Sequence, residues 1–177
     1  MLNKRFAGII LVLSILLSLV FGVIFIKHRL FLQHAKGLGL AGIFLINFLA
    51  SASFSVAAPG SLIAVAEGSI YSAYLVALFA SFGAALGDLI ILVVGFSGRE
   101  LAFQKFEKTK WFTSFEKIFR EYSGWILFVF GFIPNPLFDI VGLTAGIFAY
   151  SPVKYFLIVF VARFIRFLLL AKLGSII

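Results

Sequence analysis

The stretch Gly37–Gly98 contains no lysine or arginine, and its only acidic residues are Glu67 and Asp88. Over the whole chain of 177 residues, 63% are hydrophobic and only 12% are charged. A soluble domain of this length could not bury that much apolar surface. The sequence therefore predicts an all-α polytopic membrane protein.

The net charge of +8 does not point to nucleic acid, because most basic residues stand beside apolar runs. That placement is typical of contacts with anionic lipid headgroups and of the positive-inside rule. The chain has no cysteine, which excludes disulfides, thiolate metal sites and a cysteine nucleophile.

Residues 1–36 are predicted to form an N-terminal transmembrane helix and a polar link. Phe6–Ile26 is an uncharged apolar run that is long enough to span a bilayer. It lacks a small-residue cleavage site, so we expect a retained helix rather than a signal peptide. His28 and His34 in the link are expected to be surface residues rather than metal ligands.

Residues 37–177 are predicted to form one membrane domain. The segment after Gly98 is the most polar part of the chain, and its phenylalanines recur at near-helical spacing, as in an amphipathic helix or helix pair at a membrane surface. The predicted order is a re-entrant hairpin at 37–70, a span at 71–95, the amphipathic surface segment at 99–121, a second re-entrant hairpin at 124–149 and a final span at 152–172.

Pro134-Asn135-Pro136 interrupts the apolar stretch Gly124–Tyr150. Each arm around this break would cover about half of the hydrocarbon thickness, so we expect a hairpin that enters and leaves on one face. A single span kinked by proline is the alternative. Asn135 is predicted to cap the returning helix, with Pro136 at its first position and Tyr155 at the membrane interface.

A similar break at Pro59-Gly60 is predicted to form the tip of the first hairpin. Gly68 precedes Asp88 by twenty residues, and Gly146 precedes Arg166 by twenty. Two hairpin-plus-span units would be inverted repeats, a common plan of transporters. Chance similarity is the alternative explanation of this spacing.

Charged residues at membrane depth are the candidate functional residues, because they are costly there and usually face a bundle interior or a wet path. Arg163 and Arg166 share a helix face, and a central cluster of opposite charges is our hypothesis. The alternative is that the charges only fix helix packing, or that Arg166 reaches the membrane surface. The predicted substrate and proton path comprises Glu67, Asp88, Asp139, Arg163 and Arg166.

Two helix N-termini and two arginines would suit a phosphate group, which favours a phosphorylated lipid headgroup over a sugar or a metal. A protonatable carboxylate could couple lipid movement to protons. No nucleophile–base set, P-loop or dinucleotide fingerprint occurs, so we expect neither an enzyme nor a bound cofactor or metal.

Two stretches, Ala58–Glu100 and Phe132–Phe156, resemble the DedA-like family, also called the VTT or SNARE-associated membrane family. The first resembles its proline-glycine hairpin and Gly-Asp span, and the second its Ile-Pro, Phe-Asp and Ala-Gly hairpin. The resemblance covers roughly residues 37–172. Gly131 stands where an arginine is common in the family, and Leu92 where a tyrosine is often found.

The resemblance implies two re-entrant hairpins of opposite orientation and a role in lipid translocation, either scrambling or the recycling of carrier lipids and phospholipids. Proton coupling and envelope homeostasis are associated with bacterial members. By position, the resemblance supports Pro59, Glu67, Asp88, Pro134 and Asp139, together with the region of Gly146.

We therefore expect a flippase or scramblase that moves a phospholipid or a polyprenyl-phosphate lipid between leaflets. The alternative is a non-transporting membrane organiser or assembly factor. The expected partners are membrane lipids with anionic phosphate headgroups, protons and further copies of the chain in a homo-oligomer. The compact chain favours a multi-pass protein of a bacterial or archaeal plasma membrane.

Overall fold

A computed structural model describes residues 29–52, 58–135 and 137–176, and the chain is helical throughout these ranges apart from short turns and a kink at Gly39. The predicted helix at Phe6–Ile26 lies outside the described residues, so it stays a prediction. The described helices are α1 (Arg29–Ala52), α2 (Ala58–Gly68), α3 (Ala73–Phe106), α4 (Lys110–Phe132), α5 (Phe138–Ile147) and α6 (Pro152–Gly174).

Helix α3 lies at the centre and packs against α1, α5 and α6. Among the described residues it is the one helix long and apolar enough to cross a membrane, judged by length and composition. Its 34 residues extend about 51 Å, more than the hydrocarbon thickness of about 30 Å. Helix α6 is long enough at 23 residues but carries Lys154, Arg163, Arg166 and Lys172, and its predicted span stays a prediction.

The predicted surface segment 99–121 is not a separate element. Helix α3 continues past the predicted end at residue 95 as far as Phe106, and α4 then runs unbroken from Lys110 through the first arm of the second hairpin. No proline interrupts α4, and a glycine such as Gly124 costs a helix only about 1 kcal/mol. Two of the segment's phenylalanines, Phe112 and Phe119, are buried against Phe148 rather than exposed on a surface.

Small residues let α1 approach α3 closely. A Cβ atom at Gly83 would collide with the backbone of Phe44, and one at Gly87 would collide with that of Phe48. The two glycines are four apart, as are the two phenylalanines, so one face of each helix makes the contact. This is the small-residue packing that membrane helices use, where close van der Waals contact replaces the hydrophobic effect.

The two short helices each cross a long helix from the other half of the chain. Helix α5 crosses α3 where Gly146 meets Gly95, and a Cβ at either glycine would collide with backbone of the opposite helix. Helix α2 crosses α6 in the same way, with Gly68 against Ala171 and Gly174 against Val65. Both crossings therefore depend on backbones that touch directly.

The α3–α5 crossing predicts opposite effects for two glycine-to-alanine substitutions. Gly146→Ala forces a methyl group against the Leu92 carbonyl, so we expect it to lower the free energy of unfolding by about 1–3 kcal/mol. Gly98→Ala is the matched control, because nothing lies within 4 Å of its added Cβ, and it should stabilise by up to about 1 kcal/mol. Thermal unfolding in detergent, followed by circular dichroism, measures both, and equal shifts would contradict the crossing.

Candidate functional site

A buried ion pair joins α3 to α6. Asp88 lies near the middle of α3 and is completely buried, on the same stripe as Ser81, Ala84 and Ala85. The Nη2 atom of Arg163 donates a hydrogen bond of 2.9 Å to Asp88 Oδ1, and its Nε lies 2.7 Å from Oδ2. Two-point contact between guanidinium and carboxylate is the strongest common form of this interaction.

Each of the two arginines of α6 also contacts a residue of one of the short helices. The guanidinium of Arg163 lies over the ring of Phe138, 4.9 Å from the ring centre. Arg166, one turn further along α6, is also buried, and its Nη2 donates to the hydroxyl of Ser61 in α2. The structure thus links α6 to α3, α5 and α2 through two side chains.

Asp139 completes a cluster of two acidic and two basic residues, with Asp88, Arg163 and Arg166. It stands in the first turn of α5, where a carboxylate interacts favourably with the positive end of the helix. It is half-buried, and the charges of Asp139, Arg163 and Arg166 all act on Asp88. The structure therefore brings together four of the five predicted path residues, namely Asp88, Asp139, Arg163 and Arg166.

The fifth predicted residue, Glu67, is buried at the other end of α2. Its neighbour Gly68 contacts the backbone of Ala171. Ser61, which bonds to Arg166, lies six residues before Glu67 in the same helix. Six residues correspond to about 9 Å along a helix. Glu67 therefore belongs to the α2–α6 crossing rather than to the Arg166–Ser61 contact.

The predicted hairpin tips differ in detail from the structure. Pro59 and Gly60 lie in the first turn of α2, which begins at Ala58. Proline is tolerated there because the first turn of a helix has no internal partner for its N–H groups. Pro134 and Asn135 do lie in the break between α4 and α5, and Pro136 lies outside the described residues.

Asn135 caps the helix before it, not the one after it as the sequence suggested. Its Nδ2 donates to the carbonyl oxygens of Phe130 at 2.9 Å and Ile133 at 2.7 Å, at the C-terminal end of α4. Leu137 is the N-cap of α5, and it makes no side-chain capping bond. The last carbonyls of a helix lack internal N–H donors, and the two amide protons of Asn135 satisfy two carbonyl oxygens at this end.

Sequence reasoning missed Ser61 and misplaced Tyr155. Tyr155 is completely buried beside Phe138 rather than at the membrane interface. Its hydroxyl lies against Gly142, within electrostatic range of Asp88 and Arg163, and has no hydrogen-bond partner in the described part of the chain. The spacing Tyr155, Val159, Arg163 puts all three on one helix face and could have identified it.

The site contains buried guanidinium groups, carboxylates and hydroxyls but no nucleophile held by a base. Across residues 29–52, 58–135 and 137–176, no three His, Cys, Asp or Glu side chains group closely enough to hold a metal ion. Guanidinium groups and hydroxyls bind phosphate oxygens, and carboxylates exchange protons. The arrangement is suited to binding an anionic group and to proton exchange.

The ion pair predicts a rescue experiment. Asp88→Asn leaves Arg163 buried without its counter-charge, which we expect to cost about 3–5 kcal/mol of unfolding free energy. Adding Arg163→Gln removes the uncompensated charge and should restore part of the loss. Glu116→Gln is the control, because its partner Arg120 has 56% of its side chain exposed and such a pair is worth at most about 1 kcal/mol. Additive losses in the double variant, measured by thermal unfolding in detergent, would contradict a direct pair.

The cap on α4 predicts a large effect of a small change. Asn135→Asp keeps the shape of the side chain but points an acceptor at two carbonyl oxygens. We expect a loss of about 1–3 kcal/mol, since two bonds disappear and a charge faces two carbonyls. Thermal unfolding against Asn135→Ala tests this, because alanine loses the bonds without adding the repulsion and should therefore destabilise less.

The sequence profile of the VTT domain matches residues 58–176, which is about two thirds of the chain. The match begins at the first residue of α2 and ends just beyond α6, so it contains both crossings and the whole charged cluster. No curated protein and no solved structure matches the chain. The chain belongs to the VTT domain family, the membrane-associated family that includes the DedA-like proteins.

Proposed function

We propose that this protein moves a lipid with a phosphate headgroup, such as a phospholipid or a polyprenyl phosphate, between the two leaflets of a membrane. The observation that carries the proposal is the cluster of Asp88, Asp139, Arg163 and Arg166 inside a helical domain of a membrane-associated family. Charges at such a position are costly and are usually kept for a path of ions, protons or polar groups.

Incomplete pairing within the cluster supports a role in binding. Arg163 contacts the Asp88 carboxylate at two points, whereas Arg166 donates a hydrogen bond to the neutral hydroxyl of Ser61. Neither Arg166 Nε nor the Tyr155 hydroxyl has a hydrogen-bond partner in the described ranges. Buried polar atoms are rarely left in this state, so water or a ligand is expected beside them. A phosphate group offers the acceptor oxygens that both atoms need.

The two crossings support a pair of inverted repeats with re-entrant hairpins. The short helix of each half packs against the long helix of the other half, through the same type of small-residue contact. Ser61 precedes Gly68 by seven residues, and Asp139 precedes Gly146 by seven. Ser61 meets Arg166, and Asp139 lies in range of Asp88, so equivalent positions face equivalent partners.

In the proposed mechanism the break between α4 and α5 shortens the apolar barrier, because non-helical backbone at membrane depth must lie against protein or water. The headgroup passes along the cluster while the tails stay in the bilayer. Asp139, which is only half-buried, is the carboxylate best placed to exchange a proton with water during this movement. The chain would bind and release lipid without making or breaking a covalent bond.

A second function is favoured by the ion pair itself. A two-point Asp88–Arg163 contact could serve only to lock α3 against α6, as in a membrane organiser that recruits partners. In that case the charged cluster would fix the fold, and no lipid would move. The two functions differ in whether a correctly folded protein with a changed cluster loses lipid movement.

The test measures the headgroup accessibility of labelled phospholipid and polyprenyl phosphate in proteoliposomes, with and without a pH gradient. For Asp139→Asn we expect lipid movement to slow at least about tenfold, the effect of losing roughly 1.4 kcal/mol of stabilisation. Glu121→Gln removes the same charge from an exposed position and should have no effect. Folded wild-type protein that moves neither lipid would overturn the proposal and favour the organiser.

A further inference from the structure

A surface feature outside the charged cluster lies along the seam between α4 and α6. Gly124 lies opposite Ile158 and Gly131 lies opposite Ala162, so the two helices run in the same direction along this seam. An apolar groove of about 560 Å³ follows it, lined by Gly124, Trp125, Phe128, Leu157, Ile158 and Val161. In the described part of the chain, no other helix fills it.

A polar cavity of about 220 Å³ lies next to the groove, at the end nearer the start of α6. Its basic residues stand about one helical turn before Gly124 and Leu157, which line the groove. Its walls carry two basic side chains, Arg120 from α4 and Lys154 from α6, together with Ser123 and Ser151. Helix α6 begins here, and the Ser151 side chain does not cap it. The first N–H groups of a helix lack internal partners, so they add to the positive character of the cavity.

We infer that this seam binds one membrane lipid with an anionic phosphate headgroup. Arg120 and Lys154 hold the phosphate in the polar cavity, and the first part of one acyl or prenyl chain lies in the apolar groove. This inference takes its placement in a bilayer from the proposed function, but the site would bind lipid whether or not the protein moves it.

Charge and depth both favour this occupant. Tyr150, Arg120 and Lys154 line the polar cavity and Trp125 lines the groove beside it, the mixture of aromatic and basic side chains that is typical of the level of lipid headgroups. From Lys154 in the polar cavity to Val161 in the groove, the two together run about 10 Å along α6, which is about two thirds of the hydrocarbon depth of one leaflet. A free anion would use only the polar cavity and would leave the apolar groove empty.

Arg120 is able to serve a ligand despite its existing contact. Its Nε donates a 2.9 Å hydrogen bond to Glu116, and 56% of its side chain remains exposed. An exposed pair of this kind contributes little, so a phosphate could share or replace the carboxylate. Lys154 is exposed as well, which makes lipid exchange with the bilayer straightforward.

Trp125 provides a direct optical probe, because 72% of this residue is exposed and it lines the groove. The chain has two tryptophans, so Trp111→Phe leaves Trp125 as the single fluorophore. The full-length protein is reconstituted with mixtures of brominated phosphatidic acid and unbrominated phosphatidylcholine, and then with the labels reversed. Quenching of Trp125 gives the relative affinity of the seam for the anionic lipid.

We expect phosphatidic acid to be preferred, and the preference to fall roughly fivefold for each basic side chain removed. Arg120→Gln with Lys154→Gln should abolish it. Lys108→Gln with Lys172→Gln removes the same charge from positions that line neither cavity and should leave it intact. Gly124→Leu should also lower the preference by filling the groove, since an added Cβ there meets only the Ile158 side chain at 3.7 Å.

Several results would overturn the inference. Equal quenching by both lipids, with no effect of the Arg120 and Lys154 substitutions, would leave the groove for another occupant, such as the apolar stretch Phe6–Ile26. Displacement of the lipid by excess glycerol phosphate would show an anion site that does not use the groove. Because quenching reports equilibrium binding, a protein that binds here but moves no lipid would refute the proposed function alone.

Discussion

The buried contact between Asp88 and Arg163 is the constraint on which the rest of the domain depends. Neither charge can remain in an apolar interior without the other, because the cost of removing a single ion from water is several kcal/mol. The pair therefore fixes the position of α3 along α6. Since α5 packs on α3 and α2 packs on α6, the positions of both short helices follow from that register.

The small residues of α3 make this pair geometrically possible. The stripe around Asp88 is built from alanine, serine and glycine, whose small side chains leave room for Arg163 to reach the carboxylate at two points. Small residues also allow direct backbone contact at the crossings of Gly146 with Gly95 and of Gly68 with Ala171. Packing and charge are thus interdependent, because larger side chains would prevent the pair and a missing pair would leave a buried charge.

The sequence was sufficient to predict the general character of this protein. Composition predicted a helical membrane-associated chain, and the proline break at Pro134 predicted the loop between α4 and α5. The proline-glycine, Gly-Asp and Ile-Pro motifs indicated the family that the sequence profile then showed. These features are local, or they depend on totals along the chain. They can be recognised without knowing which helices touch.

Pairing between distant residues could not be predicted in this way. Repeat spacing placed Asp88 and Arg166 at equivalent positions, which does not say which arginine contacts the carboxylate. Arg163 does so, because one helical turn decides which arginine faces α3. The amide of Asn135 turned to the carbonyls of α4, since either helix end could have used it. Tyr155 was assigned to the membrane interface from its residue type, although its position on the face of Arg163 buries it.

The two basic sites differ in a way that suits successive steps of the proposed lipid movement. Arg120 and Lys154 lie at an exposed cavity, where water screens their charge and would weaken the binding of a headgroup. Arg163 and Arg166 are buried, where the same charges act much more strongly. A headgroup competing for Arg163 would have to displace Asp88, whereas Arg166 gives up only a hydroxyl. Arg166 is therefore the buried group that a phosphate would contact first, and Ser61 is the residue that would release it.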